Sequence, residues 1–290
     1  NIYYMKKIKN YIEFINENLD NNINNYFFDK IINNVEYSQD WDEYLENAKT
    51  YIEEEFYETF KLQEENFSDV IRPIDGQELM DALEDCYSNL GNEETVFIVR
   101  SNKRAYLYNQ SIRTRILYQE QELAVGDYLM VVKNNYFWLK PSSEAGFIAN
   151  GDIIEILEIF NLKELYGFRF AEVKIRMVDY PNQAPFDTIL MLDTIMSEAP
   201  SLTYEQSNQL YQEVLLDYED ERQQYKKLQK VKENEYFNAL QVKFSYAITC
   251  HKSQGGQWKT VFVEQPYLPD GIDVDYVRWL YTAITRAEEK

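Results

Sequence analysis

The sequence predicts an α/β domain interrupted by a small inserted β-barrel and carrying helical extensions. Three observations carry that prediction. Strand, polar turn and helix follow one another near residues 95–117 and again from Val242 onward, the texture of an α/β layer. Short β-rich runs separated by turns fill the stretch from Leu123 to Met196, and charged segments with helical spacing occupy residues 1–66 and 201–240. The expected division is therefore 1–120, a helical segment and the first part of the α/β domain; 121–240, the barrel and charged helices; and 241–290, the remainder of the α/β domain.

Taken in order, residues 1–66 place Tyr4, Ile8, Tyr11, Ile12 and Ile15 at helical spacing, with polar loops near 21–25 and 38–40. Aromatics spread through this tract argue for packing, since a disordered tail has few. Asp75-Gly76 is a turn signal, and Gln77 to Leu90 reads as an amphipathic helix ended by Gly91. TVFIVR (95–100) is a short buried-type strand, and SNKRAYLYNQSIRTRIL after it has helical spacing. LAVGDYLMVVKNN, FIANGDIIEILEIF, FRFAEVKIRMVDY and FDTILMLDTIM read as four or five strands of a small barrel or meander. Residues 201–240 read as charged helix with Ser201 as N-cap. FSYAIT and TVFVE then restore strands, and VRWLYTAITRAEEK reads as a closing helix with Val277, Leu280, Tyr281 and Ile284 on its apolar face.

Composition excludes several functions. No run approaches the eighteen or so apolar residues of a membrane span, and NIYYMKKIKN has no signal core, so no membrane is expected and the reading is cytoplasmic. One His and two distant thiols, Cys86 and Cys250, do not make a four-ligand zinc set, and no metal site is expected. The net charge of −21 argues at first against nucleic acid. Its distribution argues otherwise: residues 1–90 carry −14 and 120–240 carry −10, whereas 91–119 carry +3 and 241–290 carry 0. Binding depends on local potential, so two segments escape the acidity.

Those two segments hold the candidate site. In an open α/β sheet, ligands bind at the carboxyl ends of the strands. FSYAIT delivers Thr249, His251 and Lys252 to that edge, and VFIVR delivers Ser101, Asn102, Lys103 and Arg104 to the same edge if the two strands are parallel. Hydroxyl, imidazole, amide and ammonium groups suit a phosphate backbone, and Gly255-Gly256 lets main chain approach a polyanion. Arg286, beyond the closing helix, is the residue type that stabilises charge on a transferring γ-phosphoryl group. No Gly is followed by Lys, so G-x-x-x-x-G-K-[ST] is absent, and the acidic pairs Asp42-Glu43 and Asp220-Glu221 follow no apolar strand of the kind that presents a magnesium ligand. Carboxylates mostly on helix faces likewise give no scaffold for a stand-alone nuclease.

AITCHKSQGGQW followed by LYTAITRA resembles motifs V and VI of superfamily 1 DNA helicases, most closely the RecD-like branch with its T-x-H-K-x-Q-G and Y-T-A-x-T-R-A signatures. VFIVRSNKRAYLYNQSIR is similar to the strand and helix before the insertion in that branch. GDYLMVVKNN and FIANGD resemble the turns of the Src-homology-3-like barrel inserted in its second RecA-like domain, of P-loop-NTPase type. The resemblance implies an ATP-dependent motor that moves on single-stranded DNA and unwinds duplex, similar to an exodeoxyribonuclease V alpha subunit and serving repair or recombination. Thr249, His251 and Lys252 would contact the DNA backbone, with Ser101, Asn102 and Lys103 beside them. Gln254, Gly255, Gly256 and Gln257 would face the nucleotide, and Arg286 would be the finger on its γ-phosphate. ATP and Mg2+ would be held mainly by an upstream RecA-like domain of the same protein, so the chain is expected to be a C-terminal fragment without ATPase or helicase activity of its own. Many relatives have Glu at the position of Gln257, a base at that of Glu288, and a further Gly where Ile153-Ile154 follow the N-G-D turn. The competing reading is a non-catalytic helicase-like adaptor that binds DNA or protein through its acidic helices and barrel.

Overall fold

The computed structural model describes residues 71, 73, 75–264 and 274–288. The helices expected within residues 1–66, and Asp42-Glu43, lie outside the described residues. The chain divides into two units, and Ile74–Gln265 with Thr282–Glu289 make up the one that holds the sheet, the barrel and the candidate residues.

Asp75 caps helix α1 (Gly76–Asn89) by accepting from the N–H groups of Gln77 and Glu78 at 2.8 and 3.0 Å, and Gly91 takes φ +86° just beyond its end. Strand β1 (Thr95–Val99) is buried at every position, as its apolar run predicts, and leads through Ser101 into α2 (Asn102–Arg115). Four strands then follow: β2 (Tyr128–Val131), β3 (Ile153–Leu165), β4 (Phe168–Met177) and β5 (Phe186–Met191). LDTIM, which the sequence assigned to the last strand, is instead a short helix, α3 (Leu192–Met196). Its Thr194 hydroxyl turns back to the carbonyl of Met191 at 2.7 Å, a local bond that competes with strand pairing.

The charged region is two helices, α4 (Tyr204–Leu216) and α5 (Gln224–Lys232), and its cap is Thr203 rather than Ser201. Thr203 and Gln206 form a reciprocal capping box, which satisfies two orphan N–H groups where Ser201 would satisfy one. FSYAIT, expected as one strand, is two. Strand β6 (Leu240–Phe244) lies in the barrel and β7 (Ala247–Thr249) in the sheet, with Ser245 and Tyr246 between. Strand β8 (Thr260–Val263) and helix α6 (Val274–Ile284) complete the described elements.

The parallel sheet has the order β7-β1-β8, with Val99 opposite Thr249 and Ile98 opposite Val263. The barrel closes in the order β2-β3-β4-β5-β6. Its pairs are antiparallel except β5 with β6, which run parallel because the two helices of residues 204–232 carry the chain back. One apolar core runs through the barrel lining (Leu129, Ile154, Ile175, Leu190, Val242) to Leu83, Phe97 and Ile112 of the α/β layer. A second core packs α4 and α5, through Leu210, Val214 and Val231, on Phe168, Phe170, Ile189 and Met191 of the outer barrel face.

A buried ion pair lies where barrel and sheet join. Arg113 of α2 grips Asp127 with two parallel bonds of 2.9 and 2.8 Å, both side chains almost wholly buried. Asp127 also accepts from the N–H of Ala124 at 2.7 Å and the hydroxyl of Tyr246 at 3.0 Å, and Arg113 lies over the Phe244 ring at 4.1 Å. Every lone pair the carboxylate needs is thus engaged, as a buried charge requires. The apolar face expected for the last helix is rotated: Tyr276, Leu280 and Ala283 are buried, whereas Tyr281 and Ile284 are 43% and 45% exposed. The spacing was right, but the small Ala283 carries the stripe.

Candidate nucleic-acid and nucleotide interface

The condition left open by the sequence is met: β1 and β7 are parallel, so Ser101 and Thr249 leave the sheet at the same edge. Ser101 spends its hydroxyl on capping α2, accepting from the N–H of Arg104 at 3.2 Å. Arg104 is drawn to Glu264 at the end of β8 and to the Tyr108 hydroxyl, and the Glu264 carboxylate raises its pKa. It does not face the candidate edge as a free cation. Lys103 remains well exposed, 3.9 Å from Glu198. Asn102 lies with Thr249 and Lys252 on the wall of a small groove, which Lys243 and Asn109 also line.

The segment after β7 is a chain of tight turns. The Cys250 N–H continues the pairing to Val99 O at 3.2 Å, and the N–H groups of Lys252 and Ser253 both return to Thr249 O, at 2.8 and 3.1 Å. Ser253 is wholly buried and donates its hydroxyl to Cys250 O at 2.8 Å, which locks the turn from inside. Gly255 has φ +88°, a conformation that favours glycine, and Gly256 lies under the Trp258 ring, where an added Cβ would come within 2.3 Å of the indole. His251, Gln254, Gly255 and Gln257 are exposed. Lys252 is half-buried, its pKa lowered by that burial, and its Nζ donates to the Asn150 side chain on a barrel turn.

Arg286 is tied to this turn by main chain. The Trp258 N–H donates to Arg286 O at 3.0 Å and the Glu288 N–H to Trp258 O at 2.8 Å, around a parallel bridge between Trp258 and Ala287. The Arg286 side chain donates from Nη2 to the Thr285 hydroxyl at 3.3 Å, while its buried Nε has no protein partner. Burial raises the Cys250 thiol, and the Ser253 hydroxyl and the Arg286 charge pull it the other way. The fold thus joins the turn and Arg286, groups that lie far apart in sequence.

Three residues of this surroundings were missed in the sequence. Asn109 holds β7 in place with a two-way amide bond to Ala247, 2.7 and 2.8 Å. Lys243 lines the groove and donates to the carbonyls of Thr194 and Ser197 at 3.0 and 2.6 Å, and burial pushes its pKa down to about 8. Asn150, the acceptor for Lys252, is the first residue of the N-G-D turn, whose sequence signals only a turn of the barrel. Among the described residues there is no cluster of three His, Cys, Asp or Glu side chains able to hold a metal, no disulfide joins Cys86 and Cys250, and no helix is long and apolar enough to cross a membrane. Asn102, Lys243, Thr249 and Lys252 bring amide, ammonium and hydroxyl groups together on the groove wall.

Comparison with known proteins yields a family match over the end of the chain and similar solved structures. Residues 244–290 match the family model of the UvrD-like helicase C-terminal domain. Among solved structures, the chain is similar to the Pif1 helicase from Bacteroides in complex with ADP-AlF3 and ssDNA, at 11% identity and a TM-score of 0.35, covering 74% of this chain and 44% of that one. It is also similar to the Pif1 helicase from Candida albicans, at 13% identity and a TM-score of 0.36, covering 79% and 51%. The chain therefore spans about half the length of these helicases. No curated protein matches it.

Proposed function

We propose that the chain is the C-terminal motor portion of an ATP-dependent DNA helicase that translocates on single-stranded DNA, in the RecD-like branch of superfamily 1. The observation that carries this reading is the Trp258 bridge, which fixes Arg286 to the turn that presents Thr249, His251 and Lys252. Thr249, His251 and Lys252 contact DNA phosphates, with Asn102 and Lys103 flanking them and Ser101 acting through its cap. Gln254, Gly255, Gly256 and Gln257 face the nucleotide, and Arg286 reaches its γ-phosphate. A buried guanidinium nitrogen without a partner fits that role, because a phosphate oxygen would satisfy it. ATP supplies the transferable phosphoryl group, and Mg2+ would be held by acids of an upstream RecA-like domain.

The five-stranded barrel is, in this reading, the Src-homology-3-like insertion of that branch. The whole protein would unwind duplex in repair or recombination, in the manner of an exodeoxyribonuclease V alpha subunit, in the cytoplasm. The test is a titration of the chain onto labelled oligo-dT across a range of salt. Wild type should show a linear fall of log affinity with log salt, and Lys252→Ala should weaken binding and reduce that slope by about one phosphate contact. Unchanged affinity and slope in Lys252→Ala would remove the phosphate role.

A further inference from the structure

Lys252 is the end of a hydrogen-bonded path that leads onto the barrel. Its Nζ donates to Asn150 Oδ1; the Asn150 N–H donates to Asn134 Oδ1 at 2.7 Å; and Asn134 Nδ2 donates to the Tyr136 hydroxyl at 3.3 Å. Tyr136 is 70% exposed, and its ring stacks on that of Phe147, itself 36% exposed, with centroids 4.9 Å apart and planes 24° from parallel. The two loops bearing the pair are fixed to each other by the Asn135–Ile148 bridge, 2.8 and 2.9 Å. Asn135 further accepts from the N–H groups of Phe137 and Trp138, and the Trp138 indole donates to Asn238 O at 2.8 Å. Tyr136 is therefore held out in water on bonded loops, with the partly covered Phe147 ring stacked against it.

The charge nearby is also unusual for this chain. Residues 128–143 contain Lys133 and Lys140 and no acid, within a sequence of net charge −21. Both lysines are exposed, and among the described residues neither is engaged in an ion pair. The next acid, Glu144, accepts from Asn182 at 3.1 Å.

We propose that Tyr136 and Phe147 form a base-stacking platform for single-stranded DNA, continuing onto the barrel the strand whose phosphates meet Thr249 and Lys252. Exposed aromatic faces beside lysines are what sequence-tolerant single-strand binding uses, because every base has a π-face and every link a phosphate. The proposal rests on the phosphate role of Lys252. It adds a contact to bases, which the donor set at the sheet edge does not supply.

The test titrates the chain onto labelled oligo-dT and onto an abasic strand of equal length, which keeps the phosphates and removes the bases. Tyr136→Ala with Phe147→Ala should weaken dT binding about tenfold or more and leave abasic binding unchanged. Tyr136→Trp should keep dT affinity, and its added fluorescence should be quenched by dT and not by the abasic strand. Wild-type dT affinity in the double variant overturns the platform, and so does an equal loss on both strands. In either case Lys252→Ala, expected to weaken both strands, still reports separately on the phosphate reading. Failure of wild type to bind either strand overturns the phosphate reading and the platform with it.

Discussion

Trp258 donates its N–H to the carbonyl of Arg286 at 3.0 Å, and Glu288 donates to Trp258 O at 2.8 Å. The two bonds make the residues after the turn and the residues after the last helix one short piece of sheet, so the turn and Arg286 move together. Gly256 protects this contact, since a Cβ there would lie 2.3 Å from the Trp258 ring. Gly256→Ala should lower stability by about 1–3 kcal/mol, as overpacking does, read as a fall in thermal midpoint. An unchanged midpoint would show that the indole has room to move.

The join between barrel and sheet depends on Asp127, which accepts from Arg113, Tyr246 and the Ala124 N–H with no water-facing side. Asp127→Ala leaves the Arg113 guanidinium buried and unpaired. The expected loss is about 3–5 kcal/mol, measured by denaturant unfolding. The double variant Arg113→Met with Asp127→Ala should recover much of it, because no charge is then left buried alone.

Lys243 gives a pH signature. Burial holds its folded pKa at about 8, below the value of roughly 10.4 in an unfolded chain. Below pH 8 the lysine is charged in both states, and the folded state bears the full cost of that buried charge. Between about 8 and 10.4 the unfolded chain binds more protons, so this residue's contribution to stability improves as pH rises through the window. The difference in unfolding free energy between wild type and Lys243→Met, followed from pH 7 to 10.5, should therefore shift in favour of wild type. A difference that stays flat would mean that Lys243 titrates normally.

Much of this was legible in the sequence. TVFIVR announced a buried strand and the β-rich runs announced β2 to β5, whereas the shared edge of the 101–103 and 249–252 groups hung on a parallel pairing of β1 with β7 that the structure supplies. What escaped depends on tertiary partners. FSYAIT has continuous strand character, and only the Tyr246 hydroxyl, reaching Asp127, shows why the chain turns from barrel to sheet there. Asn109 and Asn150 sit in polar segments where nothing local distinguishes a structural amide from a solvated one. The rotated face of α6 has the same origin, because Ala283 is too small to mark an apolar stripe.

In the proposed function one element serves two ligands, with Lys252 turned to DNA and Arg286 to the nucleotide. The direct measurement joins the chain to the proposed upstream P-loop domain and compares Arg286→Ala with Lys252→Ala, following ATP turnover and single-strand affinity for each. Arg286→Ala should lose about a thousandfold or more in turnover and keep its DNA affinity, whereas Lys252→Ala should lose affinity and salt dependence first. Equal loss of both activities in both variants would contradict the division of roles.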